Sequence, residues 1–170
     1  IKTDFTDEEL AFLMANDTDE FNRWDAGQTL FIKEIKQILQ AVQTDEKLCV
    51  SANLIHSFNR TLTDQNIDPA FLAKALSLPM ETEIKNHFDL VDVPAIHRAR
   101  LFLKQQIAGQ LKNQFMEIID LCSKSDPLSI THKAMGDRSL KNLSLSYLGS
   151  LKEPSTTDLI WNHYESAKNM

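Results

Sequence analysis

His56, His87, His97, His132 and His163 are the residues of this chain best suited to metal ligation or proton transfer. Two histidines on a helix share a metal only when they lie about one turn apart, as in His-Glu-x-x-His, where the glutamate activates the metal-bound water. The chain has no such motif, and no two of its histidines stand three or four residues apart. His97 is followed by Arg98, whose positive charge disfavours both protonation and metal binding. Acidic clusters at Asp7-Glu8-Glu9, Asp19-Glu20 and Glu81 with Glu83 have the residue types for acid/base work. Each falls at a helix start, where negative charge interacts favourably with the helix dipole, and that role accounts for them. Ser144, Ser146 and Ser150 lack the glycine-flanked turn of a serine nucleophile, and no glycine-rich phosphate loop exists. Cys49 and Cys122 are too few and too far apart for a disulfide framework or a zinc knuckle; apolar neighbours predict both as small buried side chains. The pattern predicts no catalytic, cofactor-binding or metal-binding residue in this chain.

Elements come next. Thr6 with Glu9 reads as a capping box for a helix from Asp7 to Ala15, with Leu10, Leu13 and Met14 inward. Asp17 with Glu20 repeats the signal for a long helix from about Thr18 to Gln43, its stripe running through Phe21, Trp24, Gln28, Phe31, Ile35, Ile38, Leu39 and Val42. Trp24 on that stripe is expected to be core. Arg23 has two expected uses, an ion pair with Asp19 or a bridge to a preceding domain. Ser51 caps a helix carrying Leu54, Ile55, Phe58 and Leu62, which ends near Asp64. Asp68-Pro69 opens another, with Phe71, Leu72, Ala75 and Leu76 buried and Pro79 stopping it. A short helix from Glu81 to Phe88 precedes a second long one, Pro94 to Ser123, built on Ile96, Leu103, Ile107, Leu111, Phe115, Ile118 and Ile119. The two long helices are expected to pack antiparallel or nearly so. Ile130 to Leu151 is helical, with Gly136 expected to divide it, and Pro154 leads into a helix bearing Leu159, Ile160, Trp161 and Tyr164.

The fold class that follows is all-α, an irregular solenoid or layered array of antiparallel helical pairs of armadillo or HEAT type. Only 4 glycines in 170 residues argue against a turn-rich β architecture. A formal charge of -6 without a concentrated basic face argues against nucleic acid. No apolar run reaches the ~20 residues that span a bilayer. The start, Ile1-Lys2-Thr3-Asp4, carries neither an initiator methionine nor a signal-peptide pattern, and the chain is expected to be a piece of something longer.

Several stretches carry a resemblance. Asn16-Asp17-Thr18-Asp19-Glu20-Phe21-Asn22-Arg23-Trp24-Asp25-Ala26-Gly27-Gln28, Asp68-Pro69-Ala70, Ala75-Leu76-Ser77-Leu78-Pro79, Arg138-Ser139-Leu140-Lys141-Asn142 and Lys168-Asn169-Met170 occur in this order. Together the chain closely resembles the C-terminal helical domain of the bacterial aminopeptidase N, or alanyl aminopeptidase, family of zinc metallopeptidases. Lys141 stands where that family commonly has arginine and Lys168 where it commonly has asparagine. The resemblance implies that residues 1–5 end a preceding β-rich domain or linker and that residues 6–170 are the first part of the helical domain. It implies further that zinc and the catalytic residues lie upstream, in a cytoplasmic parent enzyme that removes N-terminal residues from peptides. The partners implied are the catalytic and β-rich domains of the same chain and peptide substrates, with no nucleic acid and no membrane. On this reading the segment caps the site and restricts access to short peptides. A free-standing helical-repeat scaffold that binds a peptide or protein is the alternative. The helix bearing Trp161 is expected to end an unclosed array and to give weak self-association.

Overall fold

Thr6 begins the first helix as its spacing predicts. Its hydroxyl accepts from the Glu9 amide at 3.2 Å while the Glu9 carboxylate takes the Thr6 amide at 2.8 Å, and α1 runs Asp7–Asn16. The computed structural model describes residues 5–44, 46–88, 92–126 and 128–167, so the expectations for residues 1–4 and for Lys168-Asn169-Met170 lie outside it. Among the described residues there are nine α-helices, one 3-10 turn and no strand.

The second helix, α2 (Glu20–Thr44), starts later than expected. Asp19, not Asp17, takes the Asn22 amide at 2.9 Å; Asp17 accepts from the Asp19 amide in a tight turn and closes α1 with its own amide. The short connection turns the chain back. Lys33 reaches Asp7 at the beginning of α1, whereas Arg23 donates to the Met14 and Ala15 carbonyls at its end, at 3.1 and 3.3 Å, so the two helices are antiparallel. Arg23 thereby satisfies carbonyls that a helix end leaves without partners. It occupies the inward position at the head of α2, and Phe21 is consequently 66 % exposed, its ring lying 5.8 Å from that of Trp24. Trp24 is only half-buried and stands outside the core cluster. The buried stripe of α2 begins in earnest at Leu30 and Phe31 and runs through Ile35, Ile38 and Leu39; Val42 faces outward.

Next come α3 (Ala52–Leu62), with Ser51 accepting from the Leu54 amide, and α4 (Pro69–Ala75), with Asp68 accepting from the Ala70 and Phe71 amides. The latter ends at Ala75, before Pro79. Then follow α5 (Glu81–Ile84), the 3-10 turn Lys85–His87, α6 (Val93–Gln110), α7 (Lys112–Cys122), α8 (His132–Gly149) and α9 (Pro154–Glu165).

Two expectations fail here. The second long helix is broken at Leu111, whose φ of -112° and ψ of 24° leave the helical region. Gly109, a poor helix former, sits two residues earlier, and the halves follow different partners: α6 packs on α2, α5 and α8, and α7 chiefly on α8. Conversely, α8 runs straight through Gly136. That glycine is buried against the start of α4, where a Cβ would stand 2.9 Å from the Ala70 nitrogen. It marks a close approach between two helices, not a break.

An aromatic axis ties the layers together. Phe31 of α2 lies 6.1 Å from Phe58 of α3; Phe58 meets Tyr147 of α8 edge-on at 5.4 Å, and Tyr147 stacks on Phe115 of α7 at 4.9 Å. All four side chains are fully buried. Such contacts add about 0.5–1.5 kcal/mol per pair beyond area burial. The Tyr147 hydroxyl, enclosed in this core, donates to the Leu76 carbonyl at 2.7 Å and so satisfies the frayed end of α4.

Candidate functional site

His56, His87, His97 and His132 are exposed; His97 meets Glu81 at 2.8 Å and His132 meets Asp68 at 3.3 Å, each a single carboxylate partner. His163 on α9 is half-buried, and burial, then the nearby Lys141 charge, lowers its pKa. Among the described residues no group of three His, Cys, Asp or Glu side chains is placed to hold a metal ion. The acidic clusters sit in first turns. Asp7 also pairs with Lys33 at 2.9 Å, and Glu83 reaches back to the Met80 amide at 2.8 Å. Ser144 and Ser150 bond backward to helix carbonyls, and Ser146 accepts from Lys104 at 2.7 Å.

Arg23 takes a partner neither sequence expectation named. Its guanidinium lies 3.5 Å from the Asp64 carboxylate at the end of α3, and only side chains brought together by the fold could make that pair. Cys122 is buried as expected, and burial first, then the Asp137 charge, pushes its thiol up to about 11, which leaves it unreactive. Cys49, by contrast, is exposed: Leu48 and Val50 on either side pack against the core, and Cys49 between them faces outward.

Two crevices flank the corner formed by Cys122 and Ser125. The first, of about 810 Å³, opens between the end of α3, the start of α4, α7 and the start of α8. Leu62, Leu72 and Leu140 line it, together with the acidic Asp64, Glu117, Asp120 and Asp137 and the basic Lys124 and Lys133. Asp137 is 4 % exposed; it accepts from the Ser125 hydroxyl and from the Lys133 ammonium at 2.9 Å. The i,i+4 relation of Lys133 to Asp137 is readable in the sequence; the burial of Asp137 beneath Ser125 is not. The second crevice, of about 790 Å³, lies between α8 and α9 and is lined by Met135, Arg138, Lys141, Ile160, His163 and Tyr164 among others. Its lining residues include no Asp or Glu. Arg138 donates to the Ser129 carbonyl at 2.7 Å.

Residues 7–170 match the family model described as "Domain of unknown function (DUF3458_C) ARM repeats". The chain belongs to this family. Membership in an ARM-repeat family agrees with the irregular helical solenoid read from the sequence and with the all-helical described residues. The ARM-repeat chain is similar to aminopeptidase N of Escherichia coli strain K12, with 30% identity over 166 residues, covering 98% of this chain and 19% of that protein. Aminopeptidase N of Haemophilus influenzae is 30% identical over 167 residues, and that of Caulobacter vibrioides 29% over 170, each again covered over 19% of its length. The chain thus spans about a fifth of the length of the curated relatives it matches. Among solved structures, that of Legionella pneumophila aminopeptidase A in complex with aspartic acid superposes with a TM-score of 0.81 at 23% identity, over 99% of this chain and 20% of that one, which shows a shared fold.

Proposed function

We propose that this chain is a non-catalytic helical segment of an aminopeptidase N-like zinc metallopeptidase, residues 6–170 forming the first part of its C-terminal helical domain. The observation that carries the reading is likeness to aminopeptidase N over 98% or more of this chain and only a fifth of each relative. The remaining length of such a parent holds the catalytic and β-rich domains that this segment packs against. Zinc belongs upstream of this segment, whose five dispersed histidines do not fit it. What these residues supply is a rigid wall. Helices locked by the axis of Phe31, Phe58, Phe115 and Tyr147 keep their shape when a substrate enters. In the parent they cap the catalytic site and admit short peptides while turning folded proteins away, a selection exerted by enclosure. The parent removes N-terminal residues from peptides in the cytoplasm.

The encoding gene and two assays test this. A His-Glu-x-x-His motif upstream in the same reading frame is expected. The isolated chain, dialysed and analysed for metal, is expected to hold no stoichiometric zinc and to leave a chromogenic alanyl substrate uncut; one zinc per chain at micromolar affinity overturns the assignment. The whole parent protein is expected to trim alanyl peptides and to leave the N-terminal alanine of a folded protein intact. Equal trimming of both removes the capping role. A free-standing scaffold is the second reading, favoured by the ARM-repeat description, and an initiator methionine directly before Ile1 in the gene selects it.

A further inference from the structure

The crevice between α8 and α9 carries charge of one sign within its own wall. Arg138, Lys141 and His163 line it, all three half-buried, and no Asp or Glu is among its lining residues. Glu165 of α9 is exposed and outside the lining, and Asp137 of α8 is turned to Lys133 and Ser125 on the other crevice. Arg138 is held by the Ser129 carbonyl. Lys141 and His163 enter no ion pair among the described residues. Burial, and then the Lys141 charge, disfavours protonation of the His163 imidazole. Two basic groups thus approach each other from α8 and α9, and no carboxylate of the lining offsets them. Met135, Ile160 and Tyr164 supply apolar wall beside them.

We propose that this crevice binds an organic carboxylate, a single carboxylate group borne on a flat apolar body. The carboxylate meets Lys141 and His163, and the body lies against Met135, Ile160 and Tyr164. A volume of about 790 Å³ falls in the range that encloses most of a drug-sized ligand, so a bare inorganic anion fills little of it. A monoanion suits the site better than a phosphate, which draws on a forked guanidinium, and that of Arg138 is committed to a carbonyl. Withdrawing a dianion from water against apolar wall also costs more than withdrawing one charge. Carboxylate binding favours the protonated imidazole, so affinity rises as pH falls through the His163 range. The other charged or titratable groups on the crevice are Arg138 and Lys141 of α8, Cys122 at the end of α7 and Tyr164 of α9. Burial pushes Cys122 up to about 11, and arginine, lysine and tyrosine side chains ordinarily titrate far above neutrality. The site belongs to this segment and holds whether or not a longer protein cuts peptides.

The test uses the 170-residue chain and naphthoate, followed by backbone amide shifts in NMR titrations. Naphthamide and naphthylmethylammonium present the same ring with no charge and with the opposite charge, and acetate presents the carboxylate alone. Saturable shifts centred on residues 138–142 and 160–164 are expected with naphthoate, with affinity rising from about pH 7.5 to about pH 6. The amide, the ammonium and acetate are each expected to bind about fivefold more weakly or worse. Lys141→Met, checked for folding by circular dichroism, is expected to weaken naphthoate about fivefold, as the loss of one partly exposed charge pair would. His163→Gln is expected to abolish the pH dependence. Equal affinity for the neutral or cationic ring, or for acetate, overturns the assignment on the unaltered chain, whatever the variants do. Unchanged affinity in a folded Lys141→Met, or shifts confined to the crevice beside α3 and α4, overturns it as well.

Discussion

Glu34 is a carboxylate at a position where the helical stripe of α2 faces the core. It is 2 % exposed and accepts from the Ser51 amide at 3.3 and 3.4 Å, which ties the beginning of α3 to the middle of α2. Burial raises its pKa above the ordinary 4.5, partly opposed by the Ser51 hydrogen bonds and reinforced by the charge of Asp7. The sign of the stability effect follows. Below the unfolded pKa both states are protonated and the full contribution is present; as pH rises through the raised folded value, the carboxylate must ionise in its buried place and stability falls. Glu34→Gln keeps an acceptor for Ser51 and cannot ionise. It is expected to match the wild type in acid and to exceed it at neutral pH, as read by denaturant midpoints across that range. A variant less stable than wild type at neutral pH would refute this account. Nothing local in the sequence marked Glu34, because its partner Ser51 lies 17 residues away.

At the scale of elements, two glycines make opposite predictions. Gly109 lies near the end of α6 with open space around it, the nearest atom to an added Cβ being Leu151 Cδ2 at 3.9 Å. Gly109→Ala is expected to stabilise by about 0.5–1 kcal/mol through helix propensity. Gly136 stands against the α4 backbone, so Gly136→Ala forces α4 and α8 apart and is expected to destabilise by about 1–3 kcal/mol. Thermal melts of the two variants check the pair. A stabilised Gly136→Ala would show that this helix crossing is looser than described. The same glycines show how far the sequence could be read. Caps at Thr6, Ser51 and Asp68 were legible because they act over three residues, and the apolar stripes were legible because they repeat. The run of Gly136 inside α8 and the break at Leu111 were not, since both depend on which helix lies alongside. The candidate sites were less legible still. Asp64, Glu117, Asp120 and Asp137 come together from α3, α7 and α8 only in the folded chain.

Taken whole, the molecule places its closed core at one side of α8 and leaves apolar side chains bare at the other. Leu159 and Ile160 of α9 pack inward, whereas Trp161 is 59 % and Tyr164 72 % exposed, their rings 5.9 Å apart, with Met135 of α8 also 53 % exposed. Two copies meeting through such a surface would cover it, and weak, concentration-dependent association is expected in sedimentation. Trp161→Glu should reduce that association; a chain that stays monomeric at high concentration, with no difference between variant and wild type, would remove α9 as a contact surface. The position of the tryptophans has a spectroscopic consequence as well. Trp24 and Trp161 are the only indoles of the chain, and both sit outside the buried cluster, while the aromatic axis is built of phenylalanine and tyrosine. Indole emission therefore reports the head of α2 and the rim of α9. A quencher such as acrylamide should reach Trp161, 59 % exposed, in the native state, and unfolding should add little to that access.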